Sequence, residues 1–170
     1  MEFNEVIRNR YACRKYDDRQ VEQPVLERIL DAGRIAPTSV DQQEQHITVI
    51  RSDDGLATVD ALTECRYGAP VVLLVTFARN DVYTYPGGRY GSGVEDASIA
   101  LTHMMLAATD AGLASCWVNA FDPDKARKAF AVPDGEEIVA MLDLGYPADD
   151  TEPSAKHAKR KSLDELVSYR

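Results

Sequence analysis

The sequence is poor in the features that mark several kinds of protein. Its three cysteines, Cys13, Cys65 and Cys116, are odd in number and lack metal-ligand spacing, so neither a disulfide framework nor a zinc site is indicated. Thiols of this kind behave as small semi-buried hydrophobes and point to a reducing compartment, the cytoplasm. No apolar run approaches the ~20 residues that span a bilayer. The opening MEFNEVIRNR lacks the charged-then-apolar layout of a secretion signal. Positive charge is scarce: 19 Lys+Arg against 28 Asp+Glu give a net charge of −9. That balance argues against nucleic acid or an anionic membrane as the main partner.

Catalytic and nucleotide-binding motifs are missing too. There is no Gly-x-Gly-x-x-Gly, no Walker loop, no Gly-x-Ser-x-Gly elbow, and no His-Glu-x-x-His or Cys-x-x-Cys pair. His46, His103 and His157 lie far apart in sequence, and His103, inside an apolar stretch, reads as a core or interface histidine. A chain without these side-chain devices, if it is an enzyme, takes its chemistry from an organic cofactor. With 170 residues, 45% of them hydrophobic, and no repeat, low-complexity tract or linker, residues 1–170 read as one domain with room for a core.

The scarce positive charge is concentrated. Segment 8–19 holds Arg8, Arg10, Arg14, Lys15 and Arg19, and segment 156–161 holds Lys156, Lys159, Arg160 and Lys161. Between them, residues 20–155 carry 9 basic and 22 acidic side chains, a net of −13. Charge alone leaves two readings open: two solvated basic surfaces, or two ends meeting around one small anion.

Apolar periodicity and turn residues place the elements. Residues 2–9 form a short helix with Phe3, Val6 and Ile7 on one side. Pro24 starts a helix over 23–35, which ends before Pro37. A strand covers 46–50, and Asp53 or Asp54 caps a helix running toward Glu64. The run VVLLVTF at 71–77 reads as a strand covered on both faces. A Tyr- and Gly-rich loop fills 80–93. The segment 94–112 is apolar around most of its circumference, as in a helix buried within a domain or an interface, and Gly112 stops it. A strand at 114–118, a helix at 123–130 behind Asp122, a strand at 137–144 and a last short element near Leu163, Leu166 and Val167 complete the chain. The order is not a clean β-α-β alternation, so the class is α+β.

Arg10 and Arg14 are spaced i, i+4, so on a helical or turn-like backbone both would face one phosphate, whose oxygens suit guanidinium forks. At this point a family becomes recognisable. RNRYACRKY (8–16) resembles the Arg-rich opening of the nitroreductase family, and LDAGRIAPTSVDQQ resembles its helix followed by an Ala-Pro-Ser-x-x-Asn-x-Gln loop. GLASCWVNAFD (112–122) is similar to the strand beside the flavin in that family. LGYP (144–147) with KRKSLDEL (159–166) is similar to its closing segment.

The resemblance implies a nitroreductase-like fold: a central mixed, mainly antiparallel sheet flanked by helices, in an intertwined homodimer with FMN at the subunit interface. It implies that Arg10 and Arg14, with Tyr11 and Ala12 near them, contact the phosphate or ribityl chain, and that Arg160, helped by Lys159, approaches the phosphate from the other end. Gln43 would hydrogen-bond the polar edge of the ring, and Thr38 and Ser39 would reach the flavin from the neighbouring subunit. Trp117, Val118, Asn119 and Ala120 would lie along the ring face, with a backbone N–H near Asn119 meeting N5. The implied activity is hydride transfer from NADH or NADPH through flavin N5 to a small acceptor such as a nitroaromatic or quinone, in ping-pong order. It requires no catalytic side chain.

Two residues depart from the family pattern: Asp41 stands where Asn is usual, and Glu44 where Pro is. A carboxylate cannot donate to a flavin carbonyl and disfavours an anionic reduced ring. These charges motivate an alternative, an FMN-binding carrier or redox sensor with little turnover. A third reading is a flavin-free interaction domain whose basic ends bind an acidic partner. The chain is also short, without the extra helices that larger members fold over the site, and the sequence does not specify the conformation of loop 83–91, the expected substrate-facing segment.

Overall fold

The structure, a computed structural model, describes residues 1–170. Its frame is a sheet of β1 (Gln45–Ile50), β2 (Val71–Ala78), β3 (Ala114–Val118) and β4 (Glu136–Gly145). The strand order is β1-β2-β4-β3, with every neighbouring pair antiparallel. One parallel bridge, Ala12 to Ser115, adds the N-terminal segment beside β3. The helices are α1 (Phe3–Asn9), α2 (Gln23–Arg34), α3 (Asp53–Leu62), α4 (Gly93–Asp110), α5 (Pro123–Ala129) and α6 (Leu163–Leu166). No helix is long and apolar enough to cross a membrane.

The β-branched and apolar run of β2 sits centrally because both of its faces are covered. Val71, Leu73 and Val75 pack with Leu26 and Ile29 of α2 and with Leu101 and Met104 of α4. Val72 and Leu74 pack on the other side with Val59 of α3 and Ala126 of α5. Each such side chain, fully buried, contributes about 1.5–3 kcal/mol. The result is a helix–sheet–helix sandwich whose β3 edge receives the N-terminal segment.

The expected elements form with ends shifted by a residue or two, and the differences have local causes. Ser52, not Asp53 or Asp54, caps α3: its hydroxyl accepts the Gly55 N–H at 3.2 Å, leaving both aspartates in the first turn, where their charge suits the helix dipole. On α1 only Val6 is buried, while Phe3 is 68% exposed and Ile7 is exposed as well. Helix α4 is buried on one side alone. Ala97, Ala100, Leu101, Met104 and Ala108 face the core, but Val94 (55% exposed) and Ile99 (38%) lie on an open face. His103 is on that open side, half-buried beside Ser98, Ile99 and Thr102, and is not a core residue. The three thiols are unpaired; Cys13 and Cys116 are buried, and burial pushes the Cys116 thiol up to about 11.

Two positions yield predictions. Gly93 opens α4 directly on Phe77, and a Cβ there would lie 2.3 Å from two ring carbons. Alanine gains up to about 1 kcal/mol of helix propensity over glycine, whereas overpacking a filled core costs about 1–3 kcal/mol. Gly93→Ala should therefore lower the melting temperature by a few degrees, and an unchanged or raised Tm would contradict the packing. Asp143 of β4 stands opposite Val72 and Cys116. It is 1% exposed, and its Oδ2 has no hydrogen-bond partner. Desolvation pushes this carboxyl up to about 8, with the Arg66 charge opposing the shift. The native chain thus keeps a proton that the unfolded chain loses, so this site's contribution to stability falls as pH rises from about 4 to about 8. Asp143→Asn should flatten that part of the pH dependence and be the more stable form at pH 8; denaturant midpoints across the range test it.

Candidate functional site

The segment leaving α1 is extended, not helical: Arg10, the C-terminal cap, has φ −61° and ψ 124°. It runs beside β3, with the Cys13 N–H donating to the Ser115 carbonyl at 3.0 Å and Tyr16 bridging to Pro147. Buried Cys13 and Tyr16 pin it from beneath. Arg10, Ala12 and Arg14 therefore share one side through the two-residue period of extended chain, where helical spacing had been expected to do the work.

After β4 the chain returns over this segment. Thr151 donates its hydroxyl to the Lys15 carbonyl at 3.1 Å, and Lys15 pairs with Asp150. The His157 ring meets the Arg8 carbonyl through Nε2 at 3.1 Å and stands edge-on to Tyr11. Between the two segments lies a solvent-open cavity of about 190 Å³, lined by Arg10, Tyr11, Ala12, Arg14, Ser154, Lys156, His157 and Arg160. No carboxylate lines it. Arg10, Arg14, Lys156 and Arg160 take part in none of the chain's ion pairs. Four cations thus converge without compensation, an arrangement that suits a small dianion such as a phosphate monoester.

Ser154, Lys156 and His157 escaped the reading from sequence. Lys156 lay in the basic run, but nothing in the run distinguishes it from its neighbours. Lys159, which was expected to help, is not in the lining; its backbone carbonyl accepts from Arg160 at 2.8 Å.

A second cluster follows α2. Residues Ser39–Asp41 form a 3-10 turn in which Val40 (φ 48°) and Asp41 (φ 58°) are left-handed, as is Gln43 (φ 57°) just after it. Such backbone costs of order 1–3 kcal/mol per residue and persists only where surroundings impose it. Here the Ser39 N–H and hydroxyl both donate to Asp96 Oδ1, at 2.9 and 3.1 Å. The Gln43 N–H donates to Thr38 Oγ1 at 3.1 Å, and Gln43 Nε2 donates to Asp41 Oδ1 at 2.9 Å. A carboxylate oxygen accepts, so Asp41 sets the Gln43 amide with its nitrogen toward Oδ1 and leaves Oε1 without a partner in the chain. In the single chain Thr38, Ser39, Asp41 and Gln43 do not line the arginine cavity.

The third cluster is the end of β3. A register shift at Val75/Thr76 passes over Val139 of β4, and the Val139 carbonyl accepts from Asn119 Nδ2 at 2.7 Å. Trp117 Nε1 donates to Asn119 Oδ1, so indole and amide hold each other. The Asn119 backbone N–H has no acceptor in the chain. Val118 is buried in the α3/α5 core, leaving only its backbone to meet a ligand, while Asn119 and Ala120 are exposed. Ala12 bridges in parallel to Ser115, near the start of the same strand, so the arginine segment runs along β3. No three His, Cys, Asp or Glu side chains converge to hold a metal ion.

A protein from Methanothermobacter thermautotrophicus, provisionally named an NADH dehydrogenase/NAD(P)H nitroreductase, is 30% identical over 158 residues, which is 88% of this chain and 80% of that protein. The crystal structure of a nitroreductase family protein from Clostridium difficile 630 superposes with a TM-score of 0.93 at 40% identity, covering 99% of this chain and 98% of the other. A protein from Desulfovibrio desulfuricans, crystallised in complex with FMN, superposes with a TM-score of 0.82 at 26% identity, covering 100% and 97%. The sequence pattern of the Nitroreductase family matches residues 7–67 and 60–146, and the chain accordingly belongs to that family of oxidoreductases.

Proposed function

We propose that this chain is an FMN-dependent oxidoreductase that takes an electron pair from NADH or NADPH and delivers it to a small acceptor such as a nitroaromatic or quinone. The observation that carries this reading is the cavity in which Arg10, Arg14, Lys156 and Arg160 stand without a single carboxylate. The residues present fit the group. Guanidinium and ammonium donors match a phosphate dianion, and the free Gln43 Oε1 can accept from a ring N–H. The unsatisfied Asn119 N–H can donate to a ring nitrogen. Bound there, FMN would supply the two-electron carrier, accepting hydride at N5 and passing it on in ping-pong order. What the protein contributes is binding, orientation and electrostatics, so no catalytic side chain is assigned.

The same reading takes residues 1–170 as one domain and places a second copy against α4, where Val94, Ile99 and Thr102 are open. Exposed Leu163 and Leu166 of α6 would also find cover in such a homodimer. Thr38 and Ser39 would then face the partner's flavin. The unpaired thiols fit a cytoplasmic setting. A second reading, an FMN carrier or redox sensor, rests on the Asp41 carboxylate, whose charge opposes that of a reduced flavin.

Purified protein should be yellow, dimeric by size-exclusion chromatography and saturated by one FMN per chain. A charge-assisted hydrogen bond contributes about 1.5–3 kcal/mol. Arg10→Ala and Arg160→Ala should therefore each weaken FMN binding roughly tenfold to hundredfold while leaving riboflavin, which has no phosphate, almost unaffected. Protein that stays colourless with added FMN would refute the proposal. On anaerobic mixing with NADH or NADPH the flavin absorbance should bleach within seconds, and double-reciprocal plots against acceptor should be parallel. A flavin that binds but stays oxidised would point to the carrier.

A further inference from the structure

We propose that Asp96, in the first turn of α4, is a positioning residue whose buried carboxylate holds the Thr38–Gln43 loop in the shape that presents Ser39 and Gln43 to the flavin. This deepens the function proposed above and rests on it.

Asp96 is an unusual place for a charge. It is only 7% exposed and has no cationic partner. Burying a carboxylate is costly unless donors meet it. Two do, from one residue: the Ser39 N–H at 2.9 Å and the Ser39 hydroxyl at 3.1 Å, both on Oδ1. The helix N-terminus, where the dipole favours negative charge, offsets the remainder.

The loop needs such a hold. Val40, Asp41 and Gln43 are all left-handed although none is glycine, and Val40 is β-branched and 70% exposed, so packing does not impose its conformation. The bonds from Gln43 to Thr38 and Asp41 lie inside the loop. Those can shape it but cannot locate it. Among the loop's side-chain hydrogen bonds, the Asp96 pair alone reaches outside, across 57 positions of sequence. The neighbouring Glu95 accepts from the Tyr85 hydroxyl, so the same helical turn also anchors the hairpin closed by the Thr84–Gly91 bridge, which carries Tyr83 and Tyr85. One turn of α4 thereby sets the Ser39 loop and the aromatic hairpin relative to each other.

The test uses the full chain and two probes, FMN and riboflavin, with binding read by quenching of flavin fluorescence. Because the loop is assigned to the ring and not to the phosphate, Asp96→Ala should weaken both flavins by a similar factor, tenfold or more, whereas Arg160→Ala weakens FMN alone. Asp96→Asn keeps an acceptor at Oδ1 and should recover most of the loss. Ser39→Ala keeps the backbone donor and should lose about threefold to tenfold. Folding is checked by circular dichroism. Asp96→Ala binding both flavins within threefold of wild type overturns the assignment, as does a loss in Asp96→Asn equal to that in Asp96→Ala. If Asp96→Ala fails to fold, Asp96→Ser, whose shorter side chain carries no carboxylate toward Ser39, decides: wild-type affinity for both flavins overturns the assignment, and a matched loss supports it. A wild-type chain that binds neither flavin brings down the proposed function as well, and so is told apart from failure of the Asp96 assignment alone.

Discussion

Arg10, Arg14, Lys156 and Arg160 repel one another, and no carboxylate of this acidic chain is placed to relieve them. An uncompensated group of like charges raises the energy of the folded state, and it persists here because contacts outside the group, the Lys15–Asp150 ion pair among them, hold both segments in place. The N-terminal segment is fixed by its bridge to β3 and by buried Cys13 and Tyr16. The returning tail is tied by Thr151 and His157 to backbone carbonyls of that segment. A bound dianion would convert that mutual repulsion into charge-assisted hydrogen bonding.

The rest of the candidate site is arranged around the ends of that sheet. The irregular pairing of β2 with β4 leaves the Val139 carbonyl for Asn119, which in turn orients Trp117. On the other side of the molecule, α4 packs against α2 closely enough that a Cβ on Gly33 would lie 2.8 Å from Met104. That contact fixes the base of the loop after α2, and Asp96 fixes its tip. Core packing and a buried carboxylate thus act on one strained loop from two directions. The open face of α4 is the complement of this arrangement: one side of the helix serves the core, while Val94 and Ile99 on the other stay exposed.

Much of the fold was legible because local rules and tertiary packing agree. The run Val71–Phe77 is β-branched and apolar and became the central strand; Pro24 and Pro123 start helices, and Gly112, at φ +79°, ends one. The family motifs supplied the order of the segments expected to form the site. Local rules failed where competing caps were adjacent, as at Ser52, and where an apolar helix concealed a two-sided environment, as in α4. They also assigned Arg10 and Arg14 to a helical or turn-like backbone, since spacing of four places two side chains together in extended chain as well as in helix.

By itself the sequence determined the elements, the family and the identity of the basic residues, because periodicity, turn chemistry and motif order are properties of neighbours along the chain. Only the tertiary structure decided that Lys156 and His157 line the cavity and Lys159 does not, that Asp96 reaches Ser39, and that Asp143 is buried without a hydrogen-bond partner for Oδ2. Each of those facts depends on the direction of a side chain relative to a segment distant in sequence. That direction is set by close packing of the whole core, for which no local pattern stands in.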